Sequence, residues 1–242
     1  MQSKVSKPAY KRILLKLSGE ALMGQQKFGM EHQACKQIAQ SIKEIHELGL
    51  QIGIVVGGGN IFRGNQAEAF GFARTPADHI GMLATTINGL VLQQTLASLG
   101  VDSRVMSALN TDSIVEPYHW GHANHSLHKG MIVIFVGGTG NPYFTTDSAA
   151  ALRASEIQAD ILLKATKVDG IFSDDPKKNP HATKYDRLTY SEVLTQKLNV
   201  MDATAIALCR ENEIPICVFN LFENGTMLKA VCGQPTGTLV TE

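Results

Sequence analysis

Hydrophobic positions along this 242-residue chain alternate between two textures. Short, β-branched runs occur at Arg12 to Leu17 (around Ile13-Leu14-Leu15), Ile52 to Val56, Arg104 to Met106, Ile132 to Val136, Ile161 to Leu163 and Ile214 to Phe219. Several are apolar at consecutive positions, the mark of strands covered on both faces, as in a parallel sheet between helical layers. Between them apolar residues recur at helical spacing. Ala34, Ile38, Ile42, Ile45 and Leu48 form one stripe, and Ile80, Leu83, Ile87, Val91 and Leu99 form a second. The pattern predicts further helices over Asp147 to Ile157 and Val200 to Asn212. Strand–helix alternation predicts an α/β fold, a three-layer αβα sandwich with a largely parallel central sheet. No linker or repeat divides the chain, so a single domain over 1–242 is expected. Ser173 to Arg187, with two prolines, reads as a surface loop or lid.

Composition narrows the function. Lys and Arg number 22, as do Asp and Glu, so the formal charge is zero. That argues against bulk electrostatic binding to nucleic acid or an anionic membrane, though not against a small basic cluster in a cleft. The 22 glycines exceed the usual share while prolines number only 8, which points to tight backbone sites rather than disorder. Cys35, Cys209, Cys217 and Cys232 have no Cys-x-x-Cys spacing and read as free buried thiols in a reducing compartment. The longest unbroken apolar run, Met131 to Val136, is far too short to span a membrane, and the polar start carries no secretory signal. The expected location is the cytoplasm.

Parallel sheets bind ligands beyond the carboxyl ends of their strands. After the first run comes Lys16-Leu17-Ser18-Gly19-Glu20. A lysine closing a buried strand either snorkels to solvent or holds an anion. After the second comes Gly57-Gly58-Gly59-Asn60-Ile61-Phe62-Arg63-Gly64. It is a tight turn whose amides can hold an anion and whose arginine can fork onto phosphate, although it matches neither a Walker A loop nor Gly-x-Gly-x-x-Gly. After the fourth comes Gly137 to Asp147, with Thr139, Gly140, Asn141, Pro142, Tyr143, Phe144, Thr145 and Thr146. Glycines there admit a ligand, the polar groups bond it, and the aromatics pack on a ring. Thr146 or Asp147 is placed to cap the next helix, and Asp147 alternatively to orient lysines or a metal. After the fifth comes Lys164-Ala165-Thr166-Lys167-Val168-Asp169-Gly170. Two lysines at one sheet edge call for an anion between them. A phosphate chain or Asp147 fits, and phosphoryl transfer needs positioning and charge neutralisation more than a covalent nucleophile.

His119, His122, His125 and His128 recur every three residues. Each step rotates about 60° on a helix, so the first and last face opposite ways and cannot share one ion. They read as a solvated face, and no protein metal site is expected.

The motifs Lys16-Leu-Ser-Gly19, Gly57 to Gly64, Asp78-His-Ile-Gly-Met-Leu-Ala-Thr85, Thr139 to Asp147 and Lys164 to Gly170 resemble, in order, those of bacterial uridylate kinases of the amino acid kinase superfamily. Gly-Gly-Gly-Asn is shared across the superfamily. The Asp78 and Thr139 motifs are specific to the uridylate branch.

This resemblance implies reversible transfer of the ATP γ-phosphoryl group to UMP with Mg²⁺, in pyrimidine nucleotide synthesis, by a homohexamer. It implies that Lys16, Leu17, Ser18, Gly19, Gly59, Arg63, Thr166, Phe172 and Asp175 bind ATP. Gly58, Asp78 and the run Thr139, Gly140, Asn141, Pro142, Tyr143, Phe144, Thr145 and Thr146 bind UMP. Lys16 and Lys164 stabilise the transferring group, with Asp147 orienting them. The N-terminal part then serves UMP and oligomer contacts, and the C-terminal part ATP. Inhibition by UTP follows from competition at the UMP pocket. Activation by GTP stays open, because Gln93-Gln94 and Gly130-Met131 stand where some members carry basic residues, although Arg104 remains. Another superfamily kinase, acting on carbamate, acetylglutamate or aspartate, and a nucleotide-binding regulator without turnover are the alternatives.

Overall fold

The computed structural model describes residues 7–63, 69–176, 178–198 and 200–242. Gly64 of the triple-glycine motif lies outside them. In chain order the elements that frame the site are β1 (Arg12–Leu17), a 3-10 helix (Gly19–Met23), α1 (His32–His46), β2 (Gln51–Val56), α2 (Arg74–Ser98), β3 (Ser103–Ser107) and β4 (Glu116–Pro117). There follow α3 (Trp120–His128), β5 (Ile132–Val136), α4 (Thr146–Glu156), β6 (Ile161–Thr166), the hairpin β7 (Ile171–Phe172) with β8 (Lys184–Tyr185), and β9 (Arg187–Thr189). The chain ends with α5 (Tyr190–Thr195), α6 (Ala203–Glu211), β10 (Ile216–Asn220), α7 (Thr226–Val231) and β11 (Thr238–Thr241).

Among the described residues, nine strands form one sheet in the order β4-β3-β5-β2-β1-β6-β10-β11-β9. Pairing is parallel except between β10 and β11. The central strands bury both faces, as their unbroken apolar runs require. Ile13, Leu15 and Leu17 of β1 join Ile52, Ile54 and Val56 of β2 under α1, α2 and α7. Leu14, Val55, Val133 and Leu162 point the other way, under α3, α4 and α6. Period-two alternation therefore puts Lys16, two residues after Leu14, on the α4 face. No helix among the described residues is long and apolar enough to cross a membrane.

Four local expectations change. Only the later part of the α2 stripe faces the core: Val91 and Leu99 pack on it, whereas Ile80, Leu83 and Ile87 are 36%, 48% and 47% exposed, and Thr85, Thr86, Asn88 and Gly89 are buried in their place. Periodicity locates an apolar face but does not say what covers it. The helix after β5 is capped by Thr145, whose hydroxyl accepts from the Asp147 and Ser148 amides, which leaves the Asp147 carboxylate free for other work. The helix read from Val200 starts at Ala203 with Asp202 as its cap. Ser173 to Arg187 is largely exposed, yet Lys184–Tyr185 within it pairs with β7. The four cysteines are free, as expected, but Cys232 is only partly buried; burial pushes the Cys209 and Cys217 thiols up to about 12. All four histidines of the 119–128 series are exposed.

Candidate active site

The centre of the site is set by register. Lys16 and Lys164 are direct partners in the parallel pair β1–β6, so both side chains leave the sheet on one face, at its carboxyl edge. Asp147, in the first turn of α4, sits over them. Lys16 Nζ lies 2.8 Å from Asp147 Oδ1 and Lys164 Nζ 2.7 Å from Oδ2. All three side chains are mostly buried, with exposures of 12–16%. Burial alone would raise the Asp147 carboxyl, but the Lys16 and Lys164 ammonium groups outweigh it and hold the carboxyl below its ordinary range. Burial, with Lys16 adding to it, lowers Lys164 despite the attraction of Asp147 and Asp202. Lys164 also donates to the Val200 carbonyl.

Two cavities flank this cluster, and Thr145 lines both. One, of about 510 Å³, is walled by Gly58, Gly59, Phe72, Asp78, Gly138 and Phe144, among others. The second, of about 370 Å³, includes Asp147, Lys164, Thr166, Gly170, Met201 and Asp202. Both volumes suit small-molecule ligands.

In the first cavity Asp78 is the organiser. Its two carboxylate oxygens share the single Arg74 Nε–H, at 3.0 and 2.8 Å, and one of them accepts a bond of 2.7 Å from the Tyr143 backbone N–H. Tyr143 is held at φ 73°, in the left-handed region that a bulky residue normally avoids, and its ring lies under the Arg74 guanidinium at 5.3 Å. Phe144, Thr145 and Thr146 enter the cavity wall, whereas Thr139, Gly140, Asn141, Pro142 and Tyr143 do not line it. Gly58 has no room for a side chain, since a Cβ would stand 2.6 Å from the Gly81 carbonyl oxygen. A Cβ on Gly59 would meet nothing within 4 Å. Gly59 thus opens into the same cavity as Gly58, on the side expected for UMP.

At the junction, Ser18 caps the 3-10 helix by accepting from the Glu20 N–H. Arg63 Nη2 pairs with Glu20 at 2.9 Å and its Nε donates to the Gly59 carbonyl. Lys167 reaches the same Glu20 at 3.5 Å. Thr166 closes β6 by donating to the Val168 carbonyl. Phe172 and Asp175 stand in β7 and the turn after it, apart from the wall of the second cavity.

Asp202 was missed by the sequence reading. It caps α6 through the Ala205 N–H, accepts from Ser148 Oγ at 3.0 Å and from the Thr145 hydroxyl, and so ties α6 to the start of α4. The available signal was an aspartate three residues before an apolar helical run, a capping position.

A family model, the amino acid kinase family, matches residues 11–220. The chain belongs to the amino acid kinase family. Uridylate kinases are among its relatives. A uridylate kinase of Protochlamydia amoebophila (strain UWE25) is 65% identical over 217 residues, 88% of this chain and 86% of that protein. Among solved structures, UMP kinase from Bacillus anthracis superposes with a TM-score of 0.94 at 43% identity, covering 96% of each chain. UMP kinase from Ureaplasma parvum gives 0.91 at 39% identity, over 96% of this chain and 99% of that one. This member of the amino acid kinase family carries two lysines and an aspartate in ion-pair contact at the carboxyl edge of its sheet.

Proposed function

We propose that the chain is a uridylate kinase, which transfers the γ-phosphoryl group of ATP to UMP and releases ADP and UDP. The observation that carries this reading is the Lys16–Asp147–Lys164 cluster at the junction of two cavities that share Thr145. An acceptor enters from the side of Gly58, Asp78 and the loop Thr139 to Thr146, and ATP from the side of Lys164 and Thr166. Lys16, Leu17, Ser18 and Gly19 with Arg63 lie between them, where the phosphates meet. Phe172 and Asp175 border the adenine end. The part up to β5 then serves the acceptor and subunit contacts, and the part from β6 onward serves ATP.

In the transfer, a phosphate oxygen of UMP forms a bond to the γ-phosphorus, and the bond from that phosphorus to the β,γ-bridging oxygen breaks, leaving ADP. The UMP phosphate is already largely ionised near neutral pH, so no strong general base is needed. Lys16 and Lys164 balance the charge of the transferring group, and Asp147 holds both ammonium groups in place before substrates arrive. The donors here suit a magnesium ion carried in by ATP. Both oxygens of Asp147 are taken by lysines, and among the described residues no cluster of three His, Cys, Asp or Glu side chains forms a metal cage. Such an ion would take phosphate oxygens and water as its chief ligands and would supply charge neutralisation on the nucleotide.

The exposed stripe Ile80, Leu83 and Ile87 supports a subunit contact, and a homohexamer is proposed. UTP inhibits by competing in the acceptor cavity, and the reaction belongs to cytoplasmic pyrimidine nucleotide synthesis. The test is ADP release over a panel of acceptors (UMP, CMP, carbamate, acetylglutamate, aspartate), each with and without UTP and GTP. Activity confined to UMP supports the reading. Activity on an amino acid, or tight nucleotide binding without ADP release, rejects it.

A further inference from the structure

Asn60 and Asn88 face each other in the interior, 2% and 0% exposed. Burying two primary amides is costly unless every donor finds a partner. Here each does. Asn88 Nδ2 donates to Asn60 Oδ1 at 2.7 Å and Asn60 Nδ2 returns a bond to Asn88 Oδ1 at 3.0 Å. The second hydrogen of each amide goes to backbone, from Asn88 to the Gly57 carbonyl at 2.6 Å and from Asn60 to the Gly29 carbonyl at 2.9 Å. Rotating either amide by half a turn would set nitrogen against nitrogen and oxygen against a carbonyl, so the pair has one satisfied arrangement.

The pair touches both turns proposed to meet phosphate. Gly57 is held at both ends, its N–H by the Leu17 carbonyl and its carbonyl by Asn88. Gly19 packs so closely on this unit that a Cβ there would lie 2.4 Å from Asn60 Oδ1 and 2.5 Å from the Gly57 oxygen. One turn earlier on α2, the buried Thr85 hydroxyl accepts from the Gly137 N–H at 2.8 Å. Thus one face of α2 grips both glycine turns, Gly57–Gly59 and Gly137–Gly140, while its opposite face carries the exposed Ile80, Leu83 and Ile87.

We propose that Asn88, braced by Asn60, is a positioning residue for phosphoryl transfer, which fixes the Gly57–Gly59 turn against the Ser18–Gly19 turn before substrates bind. Neither asparagine lines either cavity, so its effect passes through Gly57. This inference rests on the kinase reading above.

The test uses the full chain with Asn88→Ser and Asn60→Ser. A serine hydroxyl has one hydrogen and cannot serve both bonds of Asn88. Misplacing a reacting group by about 1 Å can cost on the order of 100-fold in rate. The expected result for Asn88→Ser is a fall in kcat of about 10- to 100-fold, with the equilibrium dissociation constant for UMP changed less than about threefold. Asn60→Ser, which keeps the Asn88 to Gly57 bond and removes its brace, should give a smaller fall. Circular dichroism and gel filtration report the folded fraction, so kcat is taken per folded chain. Folded variants with wild-type kcat overturn the proposal. Recovery of neither variant as folded protein also overturns it, because the pair would then be a requirement of folding and not of positioning. A wild-type chain inactive on UMP fails the kinase reading itself, whereas an active wild type with unaffected variants fails this inference alone.

Discussion

Lys16 and Lys164 stand opposite each other in neighbouring parallel strands, and each bonds a different oxygen of the Asp147 carboxylate. Two ammonium groups on one face of a sheet repel unless an anion lies between them. Asp147 is that anion in the free protein, and the phosphates join it during turnover. Lys16→Ala leaves Asp147 paired with Lys164, so the fold should survive while charge stabilisation is halved. A drop in kcat of about 10²- to 10³-fold is expected, with an unchanged circular dichroism spectrum. Turnover near the wild-type rate would remove Lys16 from the mechanism.

The same cluster sets a pH dependence. Lys164 loses its proton below 10.5 in the folded chain, chiefly because it is buried, while in the unfolded chain it holds it up to about 10.5. Within that window the unfolded state binds more protons, so the contribution of Lys164 to stability rises with pH. Activity runs the other way, because a neutral amine no longer balances phosphate charge. Asp147 adds the acid limb: its contribution to stability is complete above 3.8 and is lost as pH falls through its lower folded value. The check is a pH–rate profile of wild type and Lys164→Arg. An alkaline limb below 10.5 that moves upward in the variant is expected, and a limb that stays put assigns it to another group.

Much of this was legible in the sequence, and the reasons differ by element. β1, β2, β5 and β6 were readable because strands covered on both faces must be apolar throughout, and the residues after them then fell at one edge. The face of α2 was misread because Thr85 and Asn88 are polar yet buried, their partners being backbone groups of turns more than 25 residues away. Nothing local signals such a partner. β9 is a three-residue edge strand, and β11, between β10 and β9, pairs through only three residues on each side, so neither is long enough to show as an apolar run.

The strain at Tyr143 offers a separate test. An L-residue in the left-handed region costs roughly 1–2 kcal/mol relative to glycine, and Tyr143 is mostly exposed, so its side chain returns little burial. Its amide is nevertheless bonded to Asp78 and its ring to Arg74. Tyr143→Gly should therefore raise folding stability by about 0.5–1 kcal/mol, seen as a higher unfolding midpoint, while raising KM for the acceptor. Thermal unfolding beside steady-state kinetics decides. A less stable variant would mean that the ring contact outweighs the strain.

The apolar stripe on α2 predicts association. Leu83 is the middle of the exposed set, flanked by Ile80 and Ile87 on successive turns. A charge there is harmless on a free surface and costly in a contact between copies. Leu83→Glu should lower the mass measured by light scattering at equal concentration without loss of secondary structure. An unchanged mass would place the subunit contact elsewhere.

Gly58 and Gly59 are adjacent and should respond oppositely to the same methyl group. At Gly58 a Cβ meets the Gly81 carbonyl at 2.6 Å and the Ala84 Cβ at 2.9 Å, both parts of α2 that cannot rotate away. Gly58→Ala must push the helix off the turn, a displacement that costs about 1–3 kcal/mol and disturbs the acceptor cavity. At Gly59 the added methyl meets no protein atom and projects into the space reserved for ligand. Gly59→Ala should keep the wild-type unfolding midpoint and lose nucleotide affinity. Calorimetric titration with UMP and with ATP, done separately, also shows which substrate Gly59 serves. Loss confined to ATP supports the expected phosphate contact, whereas loss confined to UMP places the residue with Gly58, on the side of the cavity it lines.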